Sequence, residues 1–107
     1  MENKIEQHCF EIISFSGGAK ALFLEAVDLA MEFKFEEAAA KIKEGKDILK
    51  QGHQAHAELL TMDVNGEMPH MPLLLVHAED QFMSSEDALT LANKTLKLMK
   101  VISEKLK

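Results

Sequence analysis

A histidine followed within four positions by two carboxylates and an amide has the parts needed to hold a phosphoryl group. Residues 73–83 read LLLVHAEDQFM, which places His77, Glu79, Asp80 and Gln81 where an apolar run gives way to polar groups. On a helix, at about 100° per residue, Asp80 falls about 60° to one side of His77 and Gln81 about 40° to the other, while Glu79 points well away. A carboxylate within reach can hold an imidazole in one tautomer and leave the other nitrogen free to attack phosphorus. Pro72 marks a helix start, so His77 lies within two turns of it, where orphan N–H groups and the macrodipole mildly favour an added anion. The competing reading is ordinary: a lone histidine on a helix is more often a packed or surface side chain than a reactive one.

Asp80 poses a second question. Leu73, Val76, Met83, Leu91, Thr95, Leu98, Val101 and Ile102 form an apolar stripe centred near it. An ionised carboxylate inside such a seam is costly unless it is paired, protonated or bound to a cation. Copies of Asp80 meeting on a rotation axis could share one divalent cation. Alternatively, Asp80 sits near the end of the bundle in water, and the residues leave both readings open. Asp87 falls on nearly the same line, but its context SSED reads as locally polar, so solubility or capping is the simpler role. His53 and His56 could join His77 in a metal cluster, yet HQAH is only an i, i+3 pair with no third ligand in pattern. They read as core or groove-lining residues. His8 and His70 are given no role.

Three long helical stretches must position these groups. The first runs from about Lys4 to Phe33, with Ile5, Cys9, Ile12, Ala19, Leu22, Phe23, Ala26, Leu29 and Phe33 at three- and four-residue intervals. Gly17-Gly18 interrupts it, at roughly 2 kcal/mol relative to two alanines, which predicts a close backbone approach, a kink or a break, with a tolerated bend as the competing reading. The second, about Phe35 to Asp63, places Phe35, Ala38, Ile42, Leu49, Leu59 and Leu60 along one stripe opposite lysines and glutamates. FKF, at 33–35, joins the two without a strong cap. VNGEMPHMP, at 64–72, is a loop, and Pro72 can occupy the first helical position. The third helix runs from about Leu73 to Leu106. The pattern predicts an all-α, up-down-up antiparallel three-helix bundle, with residues 1–107 as a single domain.

Composition removes several function classes. The formal net charge is −6, all twelve basic residues are lysines, and Tyr and Trp are absent. That leaves neither a basic face nor a guanidinium for nucleic acid, and no more for an acidic membrane surface. No apolar run approaches a membrane span, so direct membrane insertion is not expected. Cys9 is the single cysteine and the start lacks the form of a secretory signal, which makes a reducing cytoplasm the expected location.

Four strings in this order, GGAKALFLEAVDLA, FEEAAAKIKEGKDIL, His53 and LLLVHAEDQFM, resemble the IIA subunit of the lactose/cellobiose/chitobiose branch of the bacterial sugar phosphotransferase system (PTS). The family text around them reads approximately G-x-A-K/R-S-L, G-D-F-E-x-A, A-H-x-x-Q-T and L-L-V-H-A-Q-D-H-L-M. The similarity spans roughly residues 12–102, and VHA-x-D is its most specific part. The resemblance implies a cytoplasmic homotrimer in which His77 takes a phosphoryl group from the histidine carrier HPr. The group then passes to a cysteine of the IIB component, and the sugar is phosphorylated during uptake through IIC. It also implies one divalent cation per trimer, expected to be Mg2+, held by Asp80 on the axis. Gln81 and His53 are the expected hydrogen-bond donors to phosphate oxygens.

The chain also departs from that text. Glu79 stands for the family glutamine and Gln81 for its second histidine. GHQAHA, at 52–57, keeps the histidine of A-H-x-x-Q-T but loses its glutamine and threonine, and KFEEA lacks the capping glycine and aspartate of GDFEx. Two rival readings follow: a degenerate, non-phosphorylated trimer with a regulatory or scaffolding role, and a metal-storage or metal-sensing bundle dependent on His53 and His56.

Overall fold

Helical periodicity is realised over nearly the whole chain. The computed structural model describes residues 2–107, with side chains from residue 4 onward, as α1 (Glu2–Met31), α2 (Phe35–Val64) and α3 (Leu73–Leu106). No strand occurs among the described residues. The helices lie up-down-up in a rod of 60 × 19 × 16 Å. α1 packs closely on both partners, whereas α2 and α3 meet only sparsely.

Small residues let the helices approach. α1 buries Ile5, Cys9, Ile12, Ala19, Phe23 and Ala26; α2 contributes Ala38, Ile42, Leu49, Ala55 and Leu59. Phe23 is fully buried, and its ring fits because position 45 of α2 has no side chain. A Cβ on Gly45 would lie 2.5 Å from Phe23 Cε1. The expected close approach at Gly17-Gly18 is absent: α1 runs unbroken through both, and a Cβ there would meet nothing within 4 Å at Gly17 and only Ile48 Cγ2, at 3.9 Å, at Gly18. These glycines are a tolerated propensity cost on an exposed face.

The buried stripe of α3 corrects the sequence expectation. Leu75, Ala78, Phe82, Ser85, Ala88 and Ala92 face the core. Leu73, Val76, Met83, Leu91, Leu98, Val101 and Ile102 are between 36% and 82% exposed, and Thr95 is half-buried. At about 100° per residue the two stripes are nearly opposite. α3 therefore has two apolar faces, and the bundle takes the one rich in alanine, which permits a shorter distance to α1. Leu60 of α2 is likewise exposed rather than part of the inner stripe.

Both α1 and α2 end in the same backbone motif. After α2, Gly66 takes φ +73°, with its N–H on Asp63 O and the Glu67 N–H on Met62 O. After α1, Phe33 takes φ +63°, with its N–H on Ala30 O and the Lys34 N–H on Leu29 O. The missing capping glycine has thus left a phenylalanine in left-handed backbone. Pro72 is the residue before α3 rather than its first turn, and its carbonyl accepts the Leu75 and Val76 N–H groups at 3.0 and 3.3 Å.

Candidate functional site

His77 sits in the second turn of α3 with its side chain exposed. Asp80, also exposed, lies at the centre of the outward apolar stripe, and Gln81 is half-buried one turn beyond His77. Among the described residues the histidine–carboxylate contacts are His8–Glu11, His8–Glu58, His53–Glu86 and His56–Glu79. His77 is not among the paired rings of the described residues, so the expected hold of Asp80 on its tautomer is not made within one chain. The two side chains leave α3 in different directions, both toward solvent.

His53 and His56 lie elsewhere. They project from α2 onto the far flank of α3, where His56 Nε2 donates to the Glu79 carboxylate, 2.7 Å from Oε1 and 2.9 Å from Oε2. His53 Nε2 reaches Glu86 at 3.5 Å. Between them stands Phe82, stacked on His56 with ring centroids 4.8 Å apart and edge-on to His53 at 4.7 Å. Glu79 and Glu86 are about 160° and 180° round α3 from His77. Within one chain, then, His53 and His77 are not brought together, while Gln81 and Asp80 flank His77. No group of three or more His, Cys, Asp or Glu among the described residues could hold a metal ion in a single chain.

Two further polar features belong to this end of the bundle. Cys9 is fully buried, and its thiol is pushed up from the ordinary value by burial first and then by the carboxylates of Glu79 and Glu6. A neutral, enclosed thiol is a packing residue, not a nucleophile. On the other seam, Lys20 of α1 donates to Ser84 Oγ at 2.8 Å, two turns along α3 from His77. The pairing of His56 with Glu79 was not visible in either string taken alone. The signal available was that both positions carry an ionisable group where the related text has an amide.

Comparison with known proteins decides the family. The profile described as "PTS system, Lactose/Cellobiose specific IIA subunit" matches residues 7–100. The chain belongs to the lactose/cellobiose-specific IIA family. Within it, the chain is 31% identical over 104 residues to the lichenan-specific phosphotransferase enzyme IIA component of Bacillus subtilis (strain 168), covering 97% of this chain and 94% of that relative. Among solved structures of the family, the cellobiose-specific enzyme IIA of Bacillus anthracis superposes with a TM-score of 0.88 at 29% identity, over 92% of this chain and 91% of that one. PtcA of S. mutans superposes with a TM-score of 0.89 at 31% identity, over 94% and 98%. This IIA chain is thus a component of a sugar PTS, and no helix of the described residues is long and apolar enough to cross a membrane.

Proposed function

We propose that the chain is a cytoplasmic phosphocarrier that accepts a phosphoryl group on His77 from phospho-HPr and passes it to a cysteine of a IIB component for sugar uptake. The observation that carries this reading is an unpaired, exposed imidazole at the head of α3, inside the family-matched region 7–100. A lone pair on a His77 nitrogen attacks phosphorus as the P–N bond to the donor histidine breaks, its electron pair returning to the donor ring. In the second transfer a thiolate forms the S–P bond while the His77 P–N bond breaks. Positioning and charge dispersal, more than covalent assistance, lower the barrier to such transfers. Gln81, one turn from His77, would donate an amide N–H to a phosphoryl oxygen.

The outward stripe of α3 supports assembly as a homotrimer, because seven large apolar residues on one exposed face leave a seam to be covered. In that seam each chain presents Asp80, with Asp87 two turns further along nearly the same line. Copies of Asp80 around an axis would fit one divalent cation such as Mg2+ through oxygen ligands, which would neutralise their mutual repulsion. His53 could act on a phosphoryl group only if it met His77 across two chains. The degenerate reading loses support from Glu79, whose carboxylate is turned away from His77 and bonded to His56.

The test is incubation with phosphoenolpyruvate, enzyme I and HPr. An acid-labile adduct that disappears in His77→Ala and persists in His53→Ala supports the carrier with His77 as acceptor. Absence of an adduct in the parent chain, or its survival in His77→Ala, contradicts it.

A further inference from the structure

The sparse α2–α3 seam is held, among the described residues, by two polar contacts, and they are unequal. His53–Glu86 is long, at 3.5 Å, between side chains 55% and 44% exposed. His56–Glu79 is short, with one ring nitrogen within 2.9 Å of both carboxylate oxygens, and is 18% and 39% exposed. The His56 ring is also braced, lying at 19° to the plane of Phe82, itself a core residue. Glu79 follows His77 by two positions on α3, whose start follows the 65–72 loop and is seated on the core by Leu75, Ala78 and Phe82, while its contact with α2 is sparse. Any roll of α3 about its axis swings Glu79 and His77 by the same angle in the same sense. Fixing one therefore fixes the other.

We infer that His56 is a positioning residue for His77, acting through Glu79: the pair is a latch that sets the azimuth of α3 and hence the direction in which His77 is presented. The inference rests on the phosphocarrier reading. The two latch residues are also two of the positions where the chain departs from the strings it resembles, and they are each other's contact across 23 positions of sequence. A carboxylate at 79 needs a donor at 56, and an N–H at 56 is best used by an acceptor at 79. Two amides could make an equivalent bond. The departures are in this sense one change rather than two: the carboxylate at 79 is taken up by the ring at 56 and faces away from the phosphoacceptor.

Four variants test the latch: His56→Ala, Glu79→Ala, the double alanine variant and His56→Gln/Glu79→Gln. Phosphoryl acceptance is followed with phospho-HPr from limiting to saturating concentration, well below the unfolding temperature of every variant. Each single alanine variant is expected to lose roughly tenfold in maximal rate, with KM changed by less than about twofold, because misplacement of a reacting group acts on the transfer step. The double alanine variant should be no slower than the worse single one, and the amide pair should recover to within about threefold of the parent. A single alanine variant at the parental rate, losses that multiply in the double, or an amide pair as slow as the alanine variants overturns the latch. If the parent accepts no phosphoryl group, the phosphocarrier reading fails instead. The latch is then judged by thermal unfolding of the same set, where midpoint losses that add in the double alanine variant overturn it and non-additive losses recovered by the amide pair sustain it.

Discussion

Replacing Gly45 with alanine sets two effects of known sign against each other. Helix propensity alone favours the substitution by about 1 kcal/mol, since glycine is the poorest ordinary residue in a helix interior. Packing opposes it. The new methyl would sit 2.5, 2.9 and 3.1 Å from Phe23 Cε1, Cδ1 and Cζ, so the ring must retreat by about 1 Å to reach ordinary carbon contact near 3.7 Å. Phe23 is completely buried and cannot swing into solvent without unpacking its neighbours. Overpacking costs about 1–3 kcal/mol in general, and a first contact as short as 2.5 Å puts this case at about 2–3 kcal/mol, against which the propensity gain of about 1 kcal/mol is set. The expected net loss is about 1–2 kcal/mol, or about 5–12 °C in Tm for a chain of this size. Circular dichroism at the helical band during heating measures it, with Gly17→Ala as the control. Nothing lies within 4 Å of that site, so alanine there should raise stability by about 0.5–1 kcal/mol. Equal stabilisation by both substitutions would refute the claim that Gly45 admits Phe23. Relief of the Gly45→Ala loss by Phe23→Leu would strengthen it.

Three other outcomes follow from the same structure. Phe33→Gly should raise stability by about 0.5–1 kcal/mol in chemical denaturation, because relief of left-handed backbone at φ +63° exceeds the loss of an exposed edge contact with Phe35. Under the proposed trimer, Leu91→Lys on the outward stripe of α3 should sediment as a monomer with helix content unchanged, since Leu91 is 61% exposed in the single chain. Cys9 should resist thiol reagents in the folded protein and react on unfolding. Because its folded pKa is raised by burial, the unfolded chain releases its proton first, so its contribution to stability is whole below the ordinary thiol value and declines as pH climbs above 9.0.

The helices were legible because their punctuation is local. Asn65-Gly66 and Pro72 end one element and precede the next, and the expected limits fall within two residues of α1, α2 and α3. Which face of α3 enters the core was not legible, since the larger apolar residues lie on the outward stripe and the inner one is built from alanine, serine and Phe82. Periodicity weights side-chain size, whereas close helix contact selects against it. Gly17-Gly18 drew attention as a pair, yet the glycine that packing requires is Gly45, alone among lysines and glutamates. The placement of Asp80 and Gln81 on either side of His77 followed from spacing on one helix. The bond between His56 and Glu79 depends on how two helices face each other, which no single-helix pattern encodes.

The most direct measurement is the position of the phosphoryl group. The parent chain, charged through HPr and digested under alkaline conditions that preserve phosphohistidine, can be mapped peptide by peptide. The group is expected on the peptide carrying His77, and to leave it when a IIB component with a free cysteine is added. A phosphoryl group on His53, His56 or any other side chain, or an adduct on His77 that no cysteine acceptor can discharge, would contradict the account.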